Sequence, residues 1–80
     1  MSFGAESIIL KQDKVVKIMK ENNAVSPKSA KDLKSLNIKQ TRTFNNLMKQ
    51  NVIKQIGNKY YLDIYNWKIF KKSFKRWILI

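Results

Sequence analysis

The chain has 80 residues, a formal net charge of +12, and neither cysteine nor histidine. This length fits one domain with a thin core, because a chain so short buries only about 60% of its unfolded surface. The missing residue types exclude a disulfide and argue against a zinc site or a histidine-based catalytic site. Seventeen basic side chains against five acidic ones favour a polyanionic partner over a merely solvated surface.

The sequence indicates no enzymatic site. Its five acidic residues are scattered singly, so no carboxylate pair for acid–base chemistry is predicted. The two glycines, Gly4 and Gly57, form no phosphate-binding loop. The longest apolar run, residues 77–80, is far shorter than the roughly 20 residues of a membrane span. We therefore expect a non-enzymatic, cytoplasmic protein without metal or cofactor.

Residues 6–22 predict a first helix that ends at Asn22-Asn23. Its expected buried side comprises Ile8, Val15, Ile18 and Met19, with Leu10 as a further candidate. Lysine recurs at every third position from Lys11 to Lys20, a pattern that usually marks a solvated face; a phosphate contact from this helix is the less favoured alternative. Gln12-Asp13 suggests a weak break, so residues 1–12 are assigned as an extension and residues 13–63 as the core of the domain.

Two short segments follow the first helix. Ala24-Val25 is a candidate edge strand for a small sheet. Ser26-Pro27 predicts the start of a second helix, because a hydroxyl side chain caps it and proline takes the first helical position. This helix is expected to continue to Ser35 and to end in the turn Leu36-Asn37-Ile38, where asparagine tolerates a positive φ.

A third helix is predicted over residues 39–50. Phe44, Leu47 and Met48 stand at i, i+3 and i+4 and form one apolar stripe. The polar residues at 100° per residue fall on the opposite side: Arg42, Asn45, Asn46 and Lys49. After this helix, residues 52–56 and 59–62 are β-prone, and Gly57-Asn58 between them predicts a hairpin with a two-residue turn.

The order of turn, helix and hairpin resembles the winged helix-turn-helix family. In that family an L-G-I turn leads into the recognition helix, and here Leu36-Asn37-Ile38 takes its place. Asn51-Val52-Ile53 is similar to the family's G-x-I at the start of the wing. Both departures replace glycine by asparagine, which also tolerates the left-handed conformation. Length, charge and layout are also similar to the small winged-helix proteins of archaea and their viruses.

The resemblance implies an α+β fold with a three-helix core and a two- or three-stranded β wing. It also implies that the third helix enters the major groove of double-stranded DNA and that wing lysines contact flanking phosphates. Arginine matches guanine, asparagine and glutamine match adenine, and lysine and hydroxyl groups suit phosphates. The candidate DNA-binding residues are Lys39, Gln40, Thr41, Arg42, Thr43, Asn45, Asn46, Lys49, Lys54 and Lys59. The expected function is that of a small transcriptional regulator.

Residues 64–80 predict an additional amphipathic helix capped by Asp63. Four aromatic residues stand at i, i+3, i+7 and i+10 on one side of it: Trp67, Phe70, Phe74 and Trp77. A monomer this small has little room to bury all four, and an exposed apolar patch usually marks an interface. We therefore expect a homodimer with these four side chains at its seam.

Two alternatives remain open from the sequence. A basic helix with tryptophan and phenylalanine on one side also fits a membrane-surface protein that lies in the lipid interface. Winged helices also serve in RNA binding and in protein–protein interaction, so the fold alone does not decide the partner.

Overall fold

The computed structural model of the chain describes residues 4–73 and residue 76. Within these residues, four α-helices and one antiparallel pair of strands form a small α+β domain. The elements in chain order are α1 (Gly4–Glu21), a 3-10 helix (Pro27–Ser29), α2 (Leu33–Leu36), α3 (Arg42–Lys49), β1 (Ile53–Ile56), β2 (Lys59–Leu62) and α4 (Ile64–Lys72). The predicted fold class, α+β, is confirmed.

The first helix, α1, is continuous through Gln12-Asp13, so the weak break expected there does not form. Gln12 is only 1% exposed, whereas Leu10, a candidate for the buried side of this helix, is 64% exposed and does not belong to it. The Gln12 side chain is satisfied by Arg76, 64 residues later in the chain. A hydrogen-bonded partner removes most of the cost of burying an amide, which explains how a polar side chain can be buried at this position.

Three of the helices end on an asparagine in the left-handed conformation. The φ angles of Asn23, Asn37 and Asn51 are 58°, 57° and 61°. In each case the amide of the next residue donates to the carbonyl five residues earlier: Ala24 to Met19 (2.9 Å), Ile38 to Leu33 (3.0 Å) and Val52 to Leu47 (2.9 Å). This is the Schellman arrangement, in which an apolar residue after the cap packs back on the helix. The left-handed conformation expected at Asn37 and Asn51 is confirmed.

The helix predicted from Ser26 to Ser35 is wrong. Ser26 does cap a helical turn, with its Oγ accepting from the Ser29 amide at 3.3 Å, but that turn is a 3-10 helix of three residues. The backbone is then extended at Ala30, and a new cap at Asp32 starts the four-residue helix α2.

Pairing with β2 interrupts this second helix. The Lys31 amide donates to the Tyr60 carbonyl at 2.9 Å, and the Tyr60 amide donates back to the Lys31 carbonyl at 2.7 Å. Two backbone hydrogen bonds in an isolated bridge hold Lys31 extended, so it cannot be helical. The strand expected at Ala24-Val25 does not form, and Lys31 pairs with β2 in its place. Ala24 is bonded to β2 through its carbonyl, which accepts from the Leu62 amide at 2.8 Å.

The hairpin has the predicted strands and the predicted turn. Ile53 pairs with Leu62 and Ile56 pairs with Lys59, which leaves Gly57 and Asn58 as the two turn residues. Gly57 has a φ of 61°, a conformation that glycine adopts without steric cost. The hairpin is anchored on the helices because Ile53 and Leu62 are buried.

The centre of the core lies between α3 and the hairpin. Phe44 and Leu47 are fully buried, as their spacing in the sequence predicted, and Met48 is partly buried against the same cluster. The Phe44 ring meets the Tyr60 ring edge to face, with centroids 5.3 Å apart. Aromatic pairs in this geometry add stability beyond that of their buried area, so the contact stabilises the orientation of α3 relative to the hairpin.

The predicted C-terminal helix ends early. Asp63 caps α4 as expected, with Oδ1 accepting from the Asn66 amide at 2.9 Å. The helix stops at Lys72, however, because Ser73 has extended φ and ψ of −82° and 147°. A continuous helix over residues 64–80 is therefore wrong.

The expected exposure of the aromatic stripe is also wrong where the structure describes it. Trp67 and Phe70 are 3% and 4% exposed, packed within the chain's own core. Phe74 and Trp77 lie outside the described residues. The exposed apolar side chains of α4 are instead Tyr65 and Ile69, at 73% and 53%.

Candidate nucleic-acid interface

The outer face of α3 carries three of the four polar residues that the sequence placed there. Arg42, Asn45 and Lys49 are exposed and stand at i, i+3 and i+7, so they follow one another along the helix. Phe44 and Leu47 hold the opposite face in the core. Neither of the described ion pairs includes Arg42 or Lys49, so the charge of this face is not compensated by a neighbouring carboxylate.

The start of α3 is fixed by a hydrogen bond of its own. The Thr41 hydroxyl accepts from the Phe44 amide at 3.2 Å, which makes Thr41 the N-cap of the helix. Its hydroxyl hydrogen stays available to a further acceptor, because the cap uses only the oxygen lone pair. The predicted helix began at residue 39, three residues too early, since Lys39 and Gln40 precede the cap.

Gln40 and Asn45 are linked across the cap. The Gln40 side-chain amide donates to Asn45 Oδ1 at 3.0 Å, and both residues are exposed. This bond orients the Asn45 amide before any partner arrives. Asn45 Nδ2, a donor, and Gln40 Oε1, an acceptor, take no part in this bond.

Two of the predicted binding residues lie at the margin of this face. Thr43 and Asn46 are half-buried, which follows from their position between the core stripe and the exposed stripe. Thr43 and Asn46 therefore lie beside the exposed row of Arg42, Asn45 and Lys49 and not within it. Lys39 is exposed and lies before the helix start, on the same side as Arg42.

A cleft opens between α1 and the beginning of α3, with a volume of about 470 Å³. Its floor is formed by partly buried aliphatic side chains: Val15, Ile18 and Ile38. Its rim is cationic, with four basic residues from three segments of the chain: Lys11, Lys14, Lys39 and Arg42. From the sequence, a phosphate contact by the α1 lysines was only the less favoured interpretation, and neither Lys11 nor Lys14 was named as a site residue. The three-residue lysine spacing of α1 was the available signal, but it does not indicate which lysines face α3.

The two predicted lysines of the hairpin differ. Lys54 Nζ forms an ion pair with Asp63 Oδ2 at 2.9 Å, and this hydrogen bond raises the pKa of Lys54. The Asn66 amide and then Lys54 lower the pKa of Asp63. Because Lys54 is compensated within the chain, it is a poor candidate for a phosphate contact. Lys59, next to the turn, is exposed and belongs to neither described ion pair.

The described part of the chain offers no cluster of three or more side chains suited to a metal ion. None of the described helices combines the length and apolar character that a bilayer crossing requires. Neither a protein-family model nor a curated protein nor a solved structure matches this chain. The function is therefore inferred from the geometry and charge of the molecule itself.

Proposed function

We propose that this chain is a winged helix-turn-helix protein that binds double-stranded DNA and inserts α3 into the major groove. The observation that carries the proposal is the outer face of α3, where Arg42, Asn45 and Lys49 are exposed in one row on a helix locked from behind by Phe44. The order of elements supports it. The Asn37 turn joins α2 to α3, and a two-stranded hairpin of the size of a wing follows directly.

The proposed base contacts come from the first turns of α3, because the N-terminal part of a recognition helix usually lies nearest the bases. Arg42 has the donor fork that matches guanine O6 and N7. Asn45 suits the N6 and N7 edge of adenine, and its bond from Gln40 restricts its orientation in advance. Lys39 and Lys49 flank these two residues and suit phosphate groups on either side.

The proposed role of the hairpin is to contact the neighbouring stretch of the duplex. Lys59 is exposed beside the turn, and Ile56 pairs with it in the last rung and is 47% exposed. Lys54 is not part of the proposed contact, because Asp63 already holds its ammonium group. This arrangement supports a small transcriptional regulator, whether it prefers one sequence or binds duplex DNA in general.

Homodimerisation through residues 64–80 stays part of the proposal, with a changed seam. Trp67 and Phe70 are inside the chain and cannot form the seam in this conformation. Tyr65 and Ile69, one helical turn apart on the exposed side of α4, are the described apolar residues that a partner subunit would cover. Sedimentation at micromolar concentration tests this part, since a mass near 9.5 kDa denotes a monomer.

The burial of Trp67 and Phe70 weakens the membrane-surface alternative. That alternative required the aromatic side of residues 64–80 to enter the lipid interface, but both described aromatics of the stripe pack in the core. RNA binding remains a second candidate, because an exposed row of arginine, asparagine and lysine also suits an RNA backbone.

The deciding experiment measures the affinity for a random-sequence DNA duplex over a range of salt concentrations, with a matched RNA duplex as competitor. A DNA-binding surface of this kind loses affinity with rising salt, with a slope of log K against log salt of about −0.9 for each phosphate contact. We expect preference for DNA over RNA and a slope that corresponds to several contacts. Absence of binding at low salt, or preference for the RNA duplex, would contradict the proposal.

A further inference from the structure

The lysines of α1 are evenly spaced in sequence but face two electrostatically different surfaces. Lys11 and Lys14 line the cleft against the start of α3, together with Lys39 and Arg42. No acidic side chain is among the described residues that line this cleft. Four positive charges from α1, the turn and α3 therefore face one opening without local compensation.

The lysines one turn further along α1 lie in a different environment. Lys17 and Lys20 border a hollow next to α4 that is also lined by two acidic residues, Asp13 and Glu21, and by two further basic residues, Lys71 and Arg76. Asp13 is in addition ion-paired with Arg76. The charge in this hollow is mixed, so it attracts a polyanion less than the uncompensated cleft does.

The structure also makes the cleft continuous with the proposed reading face. Arg42 belongs to both, because it lines the cleft and opens the exposed row of α3. Thr41 lies between them, with a hydroxyl hydrogen that its capping role leaves free to donate. A duplex with α3 in its major groove would bring one backbone strand past the first turn of α3, beside α1.

We infer that Lys11 and Lys14 bind backbone phosphates of the same duplex, so that α1 forms a second positioning contact next to α3; this inference rests on the proposed DNA binding. Residues three apart on a helix are surface neighbours, about 5–6 Å between Cβ atoms. The two ammonium groups therefore act on the same stretch of backbone. Contacts of this kind fix the register of the protein on DNA and carry no sequence information.

The aliphatic floor of the cleft fits a different occupant, a small amphipathic anion with its apolar body on Val15, Ile18 and Ile38. The duplex is the better match, because the cationic side chains come from three segments and two of them, Lys39 and Arg42, already belong to the proposed DNA contacts. A small anion is kept as an outcome of the test, with decanoate as the probe.

The test compares two double variants that remove the same charge from the same helix. Lys11→Gln/Lys14→Gln removes the α1 lysines of the cleft, and Lys17→Gln/Lys20→Gln removes the α1 lysines of the mixed hollow; all four side chains are exposed, so both variants should fold. We expect the first pair to weaken binding to a random duplex roughly tenfold or more near 0.1 M salt and to reduce the salt slope by about two units. The second pair should change the slope by less than half as much.

Equal effects of the two pairs would overturn the inference, because the lysines would then act only through net charge. Arg42→Ala/Lys49→Ala distinguishes failure of the role proposed for α1 from failure of the proposed DNA binding by α3. If that variant loses binding while the lysine pairs behave alike, only the role of α1 fails; if it binds as wild type does, the proposed function fails and the inference with it. Saturable decanoate binding that requires Lys11 and Lys14, combined with unchanged DNA affinity in their variant, would also overturn the inference and assign the cleft to small anions.

Discussion

Gln12 and Arg76 exchange two hydrogen bonds across the domain. Arg76 donates from Nε to Gln12 Oε1 at 3.1 Å, and Gln12 donates from Nε2 to the Arg76 carbonyl at 3.3 Å. Both residues are buried, and the guanidinium carbon lies 5.2 Å from the centroid of the Trp67 ring. The pair fastens the segment after α4 to α1 and covers the ring that the sequence had suggested would be exposed.

Replacement of Gln12 by leucine should destabilise the protein by about 1–3 kcal/mol, because it leaves Arg76 Nε and the Arg76 carbonyl buried without this partner. Urea unfolding followed by circular dichroism measures the loss. Lys17→Leu on the exposed side of the same helix is the control and should stay within about 0.5 kcal/mol of wild type. Gln12→Leu/Arg76→Met should recover the part of the loss that comes from the unpaired Nε, because that atom is then gone, while the Arg76 carbonyl stays unpaired. A Gln12→Leu variant as stable as wild type would show that the exchange contributes nothing.

The asparagine caps give a second prediction, best made at Asn51 because its φ is 61°. Asn51→Ala places a less tolerant residue in the left-handed conformation and should cost about 1 kcal/mol. Asn51→Gly should be neutral or slightly stabilising, because glycine adopts this conformation freely. For a domain of this size, 1 kcal/mol lowers the melting temperature by roughly 4–8 °C. Thermal melting that gave the alanine and glycine variants the same midpoint would show that the cap conformation is not the source of stability.

These caps also mark how far sequence reasoning reached. Asn37, Asn51, the Gly57 turn and the inward position of Phe44 were predictable, since each depends on signals within a few residues of chain. A helix period, a residue that tolerates positive φ and a two-residue turn between β-prone runs are local properties. The exposed row of Arg42, Asn45 and Lys49 follows directly from the inward stripe, so the candidate interface on α3 was predictable as well.

The features that were missed depend on distant partners. The Ser26 cap predicted a long helix, but Lys31 is held extended by Tyr60, which lies 29 residues later in the chain. The burial of Trp67 involves Arg76, which itself reaches α1. Local propensity is overridden wherever tertiary contacts supply backbone or side-chain partners. The difference between Lys14 and Lys17 is of the same kind, because it depends on what packs beside each face of α1.

Asp63 supports a prediction about acid stability. Its carboxylate accepts from the Asn66 amide at 2.9 Å and pairs with Lys54 at 2.9 Å, and both contacts lower the pKa of Asp63. A carboxyl group whose pKa is lower in the folded state adds stability above its unfolded pKa of about 3.9, and this contribution is lost as the pH falls through the folded value.

Asp63→Asn keeps a good helix cap but removes the ion pair and the titration. We expect this variant to be less stable than wild type at pH 7 and to approach wild type as the pH falls through the lowered pKa of Asp63, where the folded carboxyl group takes up its proton. Urea unfolding between pH 7 and pH 2 measures both curves. Asp63→Asn should cost less unfolding free energy in a protein that already carries Lys54→Gln than in wild type, because the ion pair is then already absent. A constant difference between wild type and Asp63→Asn across this range would mean that the Asp63 charge does not stabilise the fold.

The last prediction separates base contacts from phosphate contacts on α3. Arg42→Ala should cost roughly 1–3 kcal/mol on a preferred duplex and relax the preference at one base pair, because a guanidinium contact to guanine is lost. Lys49→Ala should weaken the binding of all duplexes alike and reduce the slope of log K against log salt by about one unit, since it removes a single phosphate contact.

Both side chains are exposed, so both variants should melt close to wild type, and Lys72→Ala on α4 serves as the charge control. Titration of selected and random duplexes, at a salt concentration where wild type is partly bound, gives all these quantities. If Arg42→Ala and Lys49→Ala both bind as the Lys72→Ala control does, the exposed row of α3 is not the DNA-contacting surface, and the duplex must be bound elsewhere or not at all.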